Sequence, residues 1–573
     1  MNNSMDTRRQ PRTFLAPQER GSSPRVPAGN ITFRVGMVLL LLAAPSCLAA
    51  SFPWVDGLYR RLYPPPAEVR VRAVEGLGDR IHDGKLYLHL KEFTELVLRN
   101  STDIQLTRLD VLTAATAVTA AKSPFDPQVN LGFMANRTDT PQYSQIGGAP
   151  TLSSLSDTAQ VGFQQLLPGG QTVGASFDGS RYSSNNQFNY FNPSITGSLN
   201  FNITQPLLQN RTNLQNRAPL MIARTRLLIV TEQDEGRIAD SIASAARQYW
   251  AAIQARDSIR VQERTLELAQ RSYERDKQAL DLGALPKLDI YQSESQVAQR
   301  KLELVQAQYA YRAQLDVLRR LIGADLQPET RSIEMVLEDD PSTLPLRSID
   351  PLDVALARAM RTRPELSALR RSVSLDDLNA RVARDSLKPQ LNLNVQGGSN
   401  GLGGDQIPIS GFLGGPTVFI PGGLGDALNQ MFRFNSPWYQ AGLQFNLAFR
   451  NSAAQASLSS ALVNKVRDRY SERQEQQQII QDVKQSLDSL DLAKAAIEAA
   501  SNARELSAKN VEAEQQKYEL GGTTVFELLT AQNQLATVEN SLLNAYVGYQ
   551  TAFVNYERAT WILFDELGVQ CCQ

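Results

Sequence analysis

In the stretch SLNFNIT, Leu199, Phe201 and Ile203 alternate with Ser198, Asn200, Asn202 and Thr204. The same period of two returns in GLQFNLA at 442–448, where Leu443, Phe445 and Leu447 alternate with Gly442, Gln444 and Asn446. A period of two predicts a strand with one apolar and one polar face. Val129, Leu131 and Phe133 follow it, as do Leu391, Leu393 and Val395 between Asn392, Asn394 and Gln396. TAQVGFQQLL, PGG and QTVGASFDGS predict a further hairpin over 158–182, which either lengthens a loop or sits at the edge of the strand set.

After SLNFNIT and again after GLQFNLA the period lengthens. Ile242, Ala246, Tyr249 and Ile253 recur at three- and four-residue spacing, which predicts a helix from about 213 to 282. From Ser452 to Leu520 there is no Gly or Pro, which predicts a second. At about 1.5 Å per residue each runs for roughly 100 Å, whereas an ordinary helix has about 11–12 residues. Ala, Gln, Glu, Arg and Leu dominate both, a composition for helix-on-helix packing in coiled-coil style and far too polar to cross lipid. Leu282-Gly283-Ala284 and Leu520-Gly521-Gly522 put glycine where a left-handed cap ends a helix, with Pro286 and Thr524 near the start of the next. Two helical hairpins are therefore expected.

These elements come twice. LKEFTELVLRNSTDIQL (90–106) aligns with LDVALARAMRTRPELSAL (352–369), PQVNL (127–131) with PQLNL (389–393), and LNFNI with LQFNL. LGALPKLDIYQSESQ aligns with LGGTTVFELLTAQNQ, pairing Gly283 with Gly521 and Asp289 with Glu527. The chain divides into a first repeat over 88–325, a proline-rich acidic linker over 326–349, a second repeat over 350–568 and a tail over 569–573.

The 573 residues carry a net charge of −1 with pI near 6.3, so nothing favours nucleic acid as a partner. Six arginines, then VGMVLLLLAA and small residues, make 1–50 a signal peptide with a long basic region, followed by a leader over 51–87. The apolar run is shorter than the roughly 20 residues a spanning helix needs. Cys47 lies in APSC, a poor lipid-attachment motif, so processing without lipid is favoured over lipidation. The three cysteines, Cys47, Cys571 and Cys572, are too few for a disulfide framework, and the adjacent C-terminal pair has poor geometry for bonding to itself. His82 and His89 are expected to be solvated leader residues, and no metal or other cofactor is called for. The low-charge loop GGSNGLGGDQIPISGFLGG lacks the Lys-Ser/Thr ending of a phosphate loop. No constellation of titratable groups suggests an enzyme.

Strands cross a membrane only as a closed barrel, and four to six strands are too few to close one. Several chains must therefore contribute to one barrel, with the long helices continuing it as a wall beyond the membrane. The doubled helix–strand–helix order, TQPLLQNR after a strand, and KYELGGTTVFELLTAQNQLATVENSLLNAYVGYQTAFVNYERATW together resemble the TolC-type outer membrane efflux proteins over about 88–568. The resemblance implies mixed α and transmembrane β structure. It implies a trimeric barrel, twelve-stranded with four strands per chain, that continues into an α-helical coiled-coil tunnel through the periplasm. It also implies a passive exit duct of a tripartite efflux or type I secretion system, with a periplasmic adaptor and an inner-membrane pump as partners.

In that family the hairpin tips close the periplasmic end and meet the adaptor. The corresponding residues here are Gly283, Asp289, Tyr518, Gly521, Gly522, Thr523 and Glu527. Thr523 stands where a gate Arg is usual and Thr530 where a further Asp is usual, so hydrogen bonding or apolar closure would replace a salt-bridge lock. Leu199, Phe201, Ile203, Leu443, Phe445 and Leu447 are expected to face outer-membrane lipid. The competing reading is a secreted coiled-coil scaffold or envelope structural protein without a pore, which explains the helices but not the recurring strands.

Overall fold

A computed structural model describes residues 69–142, 150–186, 188–283, 287–326, 328–343, 347–407 and 419–567. Residues 1–68, with the expected signal peptide and Cys47, lie outside them, as do Pro286 and the C-terminal cysteine pair. The chain separates into two units, 1–73 and 74–573.

In chain order the second unit contains β1 (Ile81–His82), β2 (Lys85–Leu88), α1 (Leu90–Asn100), α2 (Thr102–Ala120), β3 (Gln128–Pro141), β4 (Thr151–Leu166), β5 (Thr172–Ser184), β6 (Phe191–Pro206), α3 (Leu214–Asp281) and α4 (Lys287–Leu321). There follow β7 (Glu334–Leu337), α5 (Leu352–Thr362), α6 (Pro364–Asp385), β8 (Gln390–Gln406), α7 (Leu424–Phe432), β9 (Pro437–Asn446), α8 (Ser452–Glu519) and α9 (Val525–Thr560). Helices α3 and α8 each run for 68 residues, and their partners α4 and α9 for 35 and 36. Pro219 lies in the second turn of α3, and having no N–H it removes one hydrogen bond of the helical ladder there.

Each long helix folds back on its partner. Buried alanines such as Ala239, Ala243, Ala246 and Ala252 on α3 permit close helix approach. Two apolar clusters hold the helices together. One gathers Phe93, Leu96, Ile242, Tyr249, Trp250, Ile253 and Leu318, and the other Leu366, Ile479, Val483, Leu490, Tyr549, Phe553 and Tyr556. Tyr249 is fully buried, and its hydroxyl, with one proton to give, lies 2.7 Å from Asp339 Oδ2 and 2.9 Å from the Leu88 carbonyl, so the one polar atom of the ring has a partner.

The leader and the linker do more than connect. Lys85–Leu88 pairs in parallel with Glu334–Leu337, which makes β1-β2-β7 a three-stranded sheet. His89 is not simply solvated: its ring nitrogens lie 2.7 Å from Glu338 and 3.0 Å from Asp339, and Asp339 holds its pKa above the ordinary imidazole value.

Six strands form one antiparallel meander in the order β3-β4-β5-β6-β8-β9. The hairpin expected over 158–182 is formed by β4 and β5. It neither lengthens a loop nor sits at an edge, because both strands lie inside the sheet between β3 and β6. Its turn is tied to the base of α3, where Asn213 Nδ2 donates to the carbonyls of Leu167 and Pro168 at 3.3 and 3.0 Å. Asn213 is fully buried at φ +55°, a left-handed conformation that Asn tolerates better than most residues.

Candidate channel wall and hairpin tips

Strand registers decide which side chains share a face. Across the sheet Leu131 lies opposite Val161, Val161 opposite Phe177, Phe177 opposite Leu199 and Leu199 opposite Ser399. One row further, Phe163, Ala175, Phe201 and Gly397 are aligned, and on the last pair Leu391 and Leu393 meet Phe445 and Leu443. Leu199, Phe201, Ile203, Leu443 and Phe445 therefore occupy one face of a single continuous sheet. Much of that face is open: Leu131 is 78% exposed and Leu443 67%. Leu447 lies just past the end of β9 and is 46% exposed.

Amides, hydroxyls and glycine dominate the opposite face. Gln128, Gln164, Gly174, Asn202, Gln396 and Gln440 form one lateral row of it. Asp178 is the only carboxylate among its described strand positions, and it accepts from Asn200 Nδ2 and Ser176 Oγ, both at 2.9 Å. Ser180 and Thr196 hydroxyls lie 2.7 Å apart, and Thr204 Oγ1 donates to Asn394 Oδ1 at 3.0 Å. Groups of this kind make a nearly neutral, wettable surface.

At one end of the apolar face α7 lies directly on β6 and β8. A Cβ on Gly401 would come within 1.9 Å of the Ala427 carbonyl oxygen, and one on Gly403 within 2.2 Å of the Gly423 oxygen. Ala427 and Met431 of α7 are fully buried against this glycine surface, while Leu424 and Phe432 remain exposed.

At the far ends of the helices the turns take the expected geometry. Gly283 and Gly521 have φ +77° and +73°. The Gly521 N–H donates to the Tyr518 carbonyl at 3.0 Å and the Gly522 N–H to the Lys517 carbonyl at 2.8 Å, the double bond of a glycine helix stop. Thr524 caps α9 by accepting from the Glu527 N–H, and Thr523 Oγ1 donates to the Glu527 carboxylate. Thr530 Oγ1 returns to the Phe526 carbonyl within its own helix. Asp289 falls in the first turn of α4, with its side chain outside the described residues.

Tyr518 is held to the first hairpin by a residue that periodicity did not single out. Its hydroxyl donates to Asp276 Oδ1 at 2.9 Å, and the Arg275 guanidinium lies over its ring at 4.7 Å. Asp276 is 1% exposed and also accepts from Ser293 Oγ at 2.5 Å. This buried carboxylate thus joins α3, α4 and α8. Arg275, Asp276 and Lys277 are adjacent charged residues near the same helix stop, so no local signal sets Asp276 apart. Among the described residues no group of three His, Cys, Asp or Glu side chains could hold a metal, and no helix is long and apolar enough to cross a membrane.

A two-faced sheet continued by two 68-residue helices, each folded back on a shorter partner, is the architecture of an outer-membrane channel with a helical duct. The sequence matches the outer membrane efflux protein family over 170–324 and 355–560, together more than half of the chain, and the protein belongs to that family. Among solved structures it is similar to a membrane protein from Pseudomonas aeruginosa, with 17% identity and a TM-score of 0.58 over 87% of this chain and 98% of that one. It is also similar to CusC, with 15% identity and a TM-score of 0.59 over 82% and 91%. The Campylobacter jejuni CmeC outer membrane channel gives 13% identity and a TM-score of 0.58 over 89% and 95%. A comparison with curated proteins returned no match. The family is one of efflux proteins, not of enzymes.

Proposed function

We propose that three copies of this chain close their sheets into one barrel in the outer membrane, with α3, α4, α8 and α9 continuing as a periplasmic tunnel. The protein then serves as the passive exit duct of a tripartite efflux or type I secretion system and carries small molecules or polypeptides out of the periplasm. A periplasmic adaptor meets the tips at Gly283, Asp289, Gly521, Gly522, Thr523 and Glu527, and an inner-membrane pump supplies the energy.

The observation that carries this reading is the six-stranded sheet, with one apolar face, one Asn/Gln/Ser/Thr face and, among the described residues, two unpaired edges. Lipid tolerates that arrangement only when the edges are closed, because an unpaired backbone group costs several kcal/mol there. Leu199, Phe201, Ile203, Leu443, Phe445 and Leu447 then meet lipid while the amides wet the lumen. Tyr518 and Asp276 hold the tips in a closed arrangement in place of the family's arginine.

Reconstitution of the purified protein into planar bilayers tests the duct, which predicts discrete ion-conducting steps from a detergent-dependent oligomer. A monomer that stays soluble without detergent and gives no conductance would refute it.

A further inference from the structure

We infer that the closed barrel contains eighteen strands, six from each of three copies, and not the twelve that the family resemblance implies. The inference rests on the proposed trimer and concerns how its copies join.

The two additional strands are part of the wall. β4 pairs with β3 over fourteen residue pairs and with β5 over thirteen, and β5 pairs with β6 over eleven. Their alternation is in phase with the rest, so Val161, Phe163, Val173 and Phe177 join the apolar face, while Gln160, Gln164, Ser176 and Asp178 join the polar one. Asn213 fastens their turn to the base of α3, and Gln165 Nε2 reaches the Phe125 carbonyl at 3.2 Å on the strand's other flank. Removing β4 and β5 from the wall would break both ladders and leave β3 and β6 with unpaired edges.

The edges left for closure are β3 and β9, which run in opposite directions, so β9 of one copy can continue the antiparallel meander with β3 of the next. The chain contains a template for the register. In the doubled sequence PQVNL of β3 corresponds to PQLNL of β8, and LNFNI of β6 to LQFNL of β9. The β6–β8 pairing inside one copy is thus the internal counterpart of the β9–β3 pairing between copies. There Ile203 faces Val395 and Gln205 faces Leu393. Carried over, Leu447 faces Phe133 of the next copy and Phe449 faces Leu131. All four side chains are exposed in the single chain, Phe449 at 96% and Phe133 at 69%, and the match keeps apolar beside apolar. Barrel diameter grows roughly linearly with strand number, so eighteen strands give a lumen about one and a half times as wide as twelve.

The test uses the full chain in outer-membrane fractions, with Phe133→Cys and Leu447→Cys combined and the native cysteines changed to serine. Across a six-stranded sheet those positions lie roughly 24 Å apart in one copy at about 4.8 Å per strand, well beyond disulfide reach. Oxidation should give a ladder that ends at a covalent trimer, and each single variant should give none. An electron cryomicroscopy reconstruction of the unmodified protein should then count eighteen strands. A trimer with twelve strands, a ladder ending at two copies, or no cross-link would overturn the inference and leave the channel reading standing. A detergent-independent monomer would instead remove the channel reading itself.

Discussion

The Tyr518 hydroxyl at the end of α8 donates to the Asp276 carboxylate near the end of α3, 2.9 Å away and across the two helical hairpins. Asp276 is buried and its second oxygen accepts from Ser293, so removing one donor leaves a buried acceptor without its partner at a cost of about 1–3 kcal/mol. Tyr518→Phe combined with Glu527→Ser should loosen the tips and raise single-channel conductance. Asp276→Asn should do so alone. Unchanged conductance in both would exclude these contacts as the closing latch.

A pH effect arises from Glu557 on α9. Burial pushes its carboxyl up to about 8, against the pull of Arg347 Nη1 at 3.1 Å. With a folded pKa above the ordinary value of 4.5, its favourable contribution is present at low pH and disappears as pH rises through about 8. Glu557→Gln should therefore gain stability over the parent between about pH 5 and about pH 9, by up to about 4–5 kcal/mol at roughly 1.4 kcal/mol per pKa unit. Thermal melts at both ends of that range would show it, and a constant difference would count against it.

The seat of α7 depends on the absence of a side chain at Gly401, where a Cβ would fall 1.9 Å from a backbone oxygen. Backbone cannot yield as a flexible side chain can, so Gly401→Val should lift α7 off β8. Trypsin applied to intact cells should then cut at Arg433 faster than in the parent, while the oligomer survives. Equal cleavage would mean that α7 is not held there.

At the tip, Gly521 has open space around it and φ +73°. Any cost of substitution is therefore conformational. Gly521→Val should destabilise the turn by about 1–2 kcal/mol and reduce export, whereas Gly521→Asn, which tolerates the left-handed region, should retain most of it. Equal export by the two variants would exclude the backbone explanation.

Helical spacing, the Gly- and Pro-free run over 452–520 and the glycine stops located both 68-residue helices to within about a residue at each end, because each of these is a local signal. Periodicity also placed Leu199, Phe201, Ile203, Leu443 and Phe445 on one kind of face, since alternation is a property of the strand itself. The position of the 158–182 hairpin was not legible. A two-faced hairpin satisfies its own pattern equally at an edge, in a loop or inside a sheet, and only the ladders on both flanks put β4 and β5 inside. Asp276 was hidden for a related reason. Its importance comes from burial between three helices, and a single acid in a charged helix carries no sign of which neighbour will cover it.

The sequence by itself determined the elements, their doubling and the two-faced character of each strand, all of which rest on interactions within a few residues. Only the tertiary structure decided the order of six strands, the seat of α7 on glycine, the pairing of leader with linker and the meeting of Tyr518 with Asp276. The β6–β8 pairing, the pairing of leader with linker and the meeting of Tyr518 with Asp276 join residues far apart in the chain, where register and burial depend on every intervening element and not on local pattern.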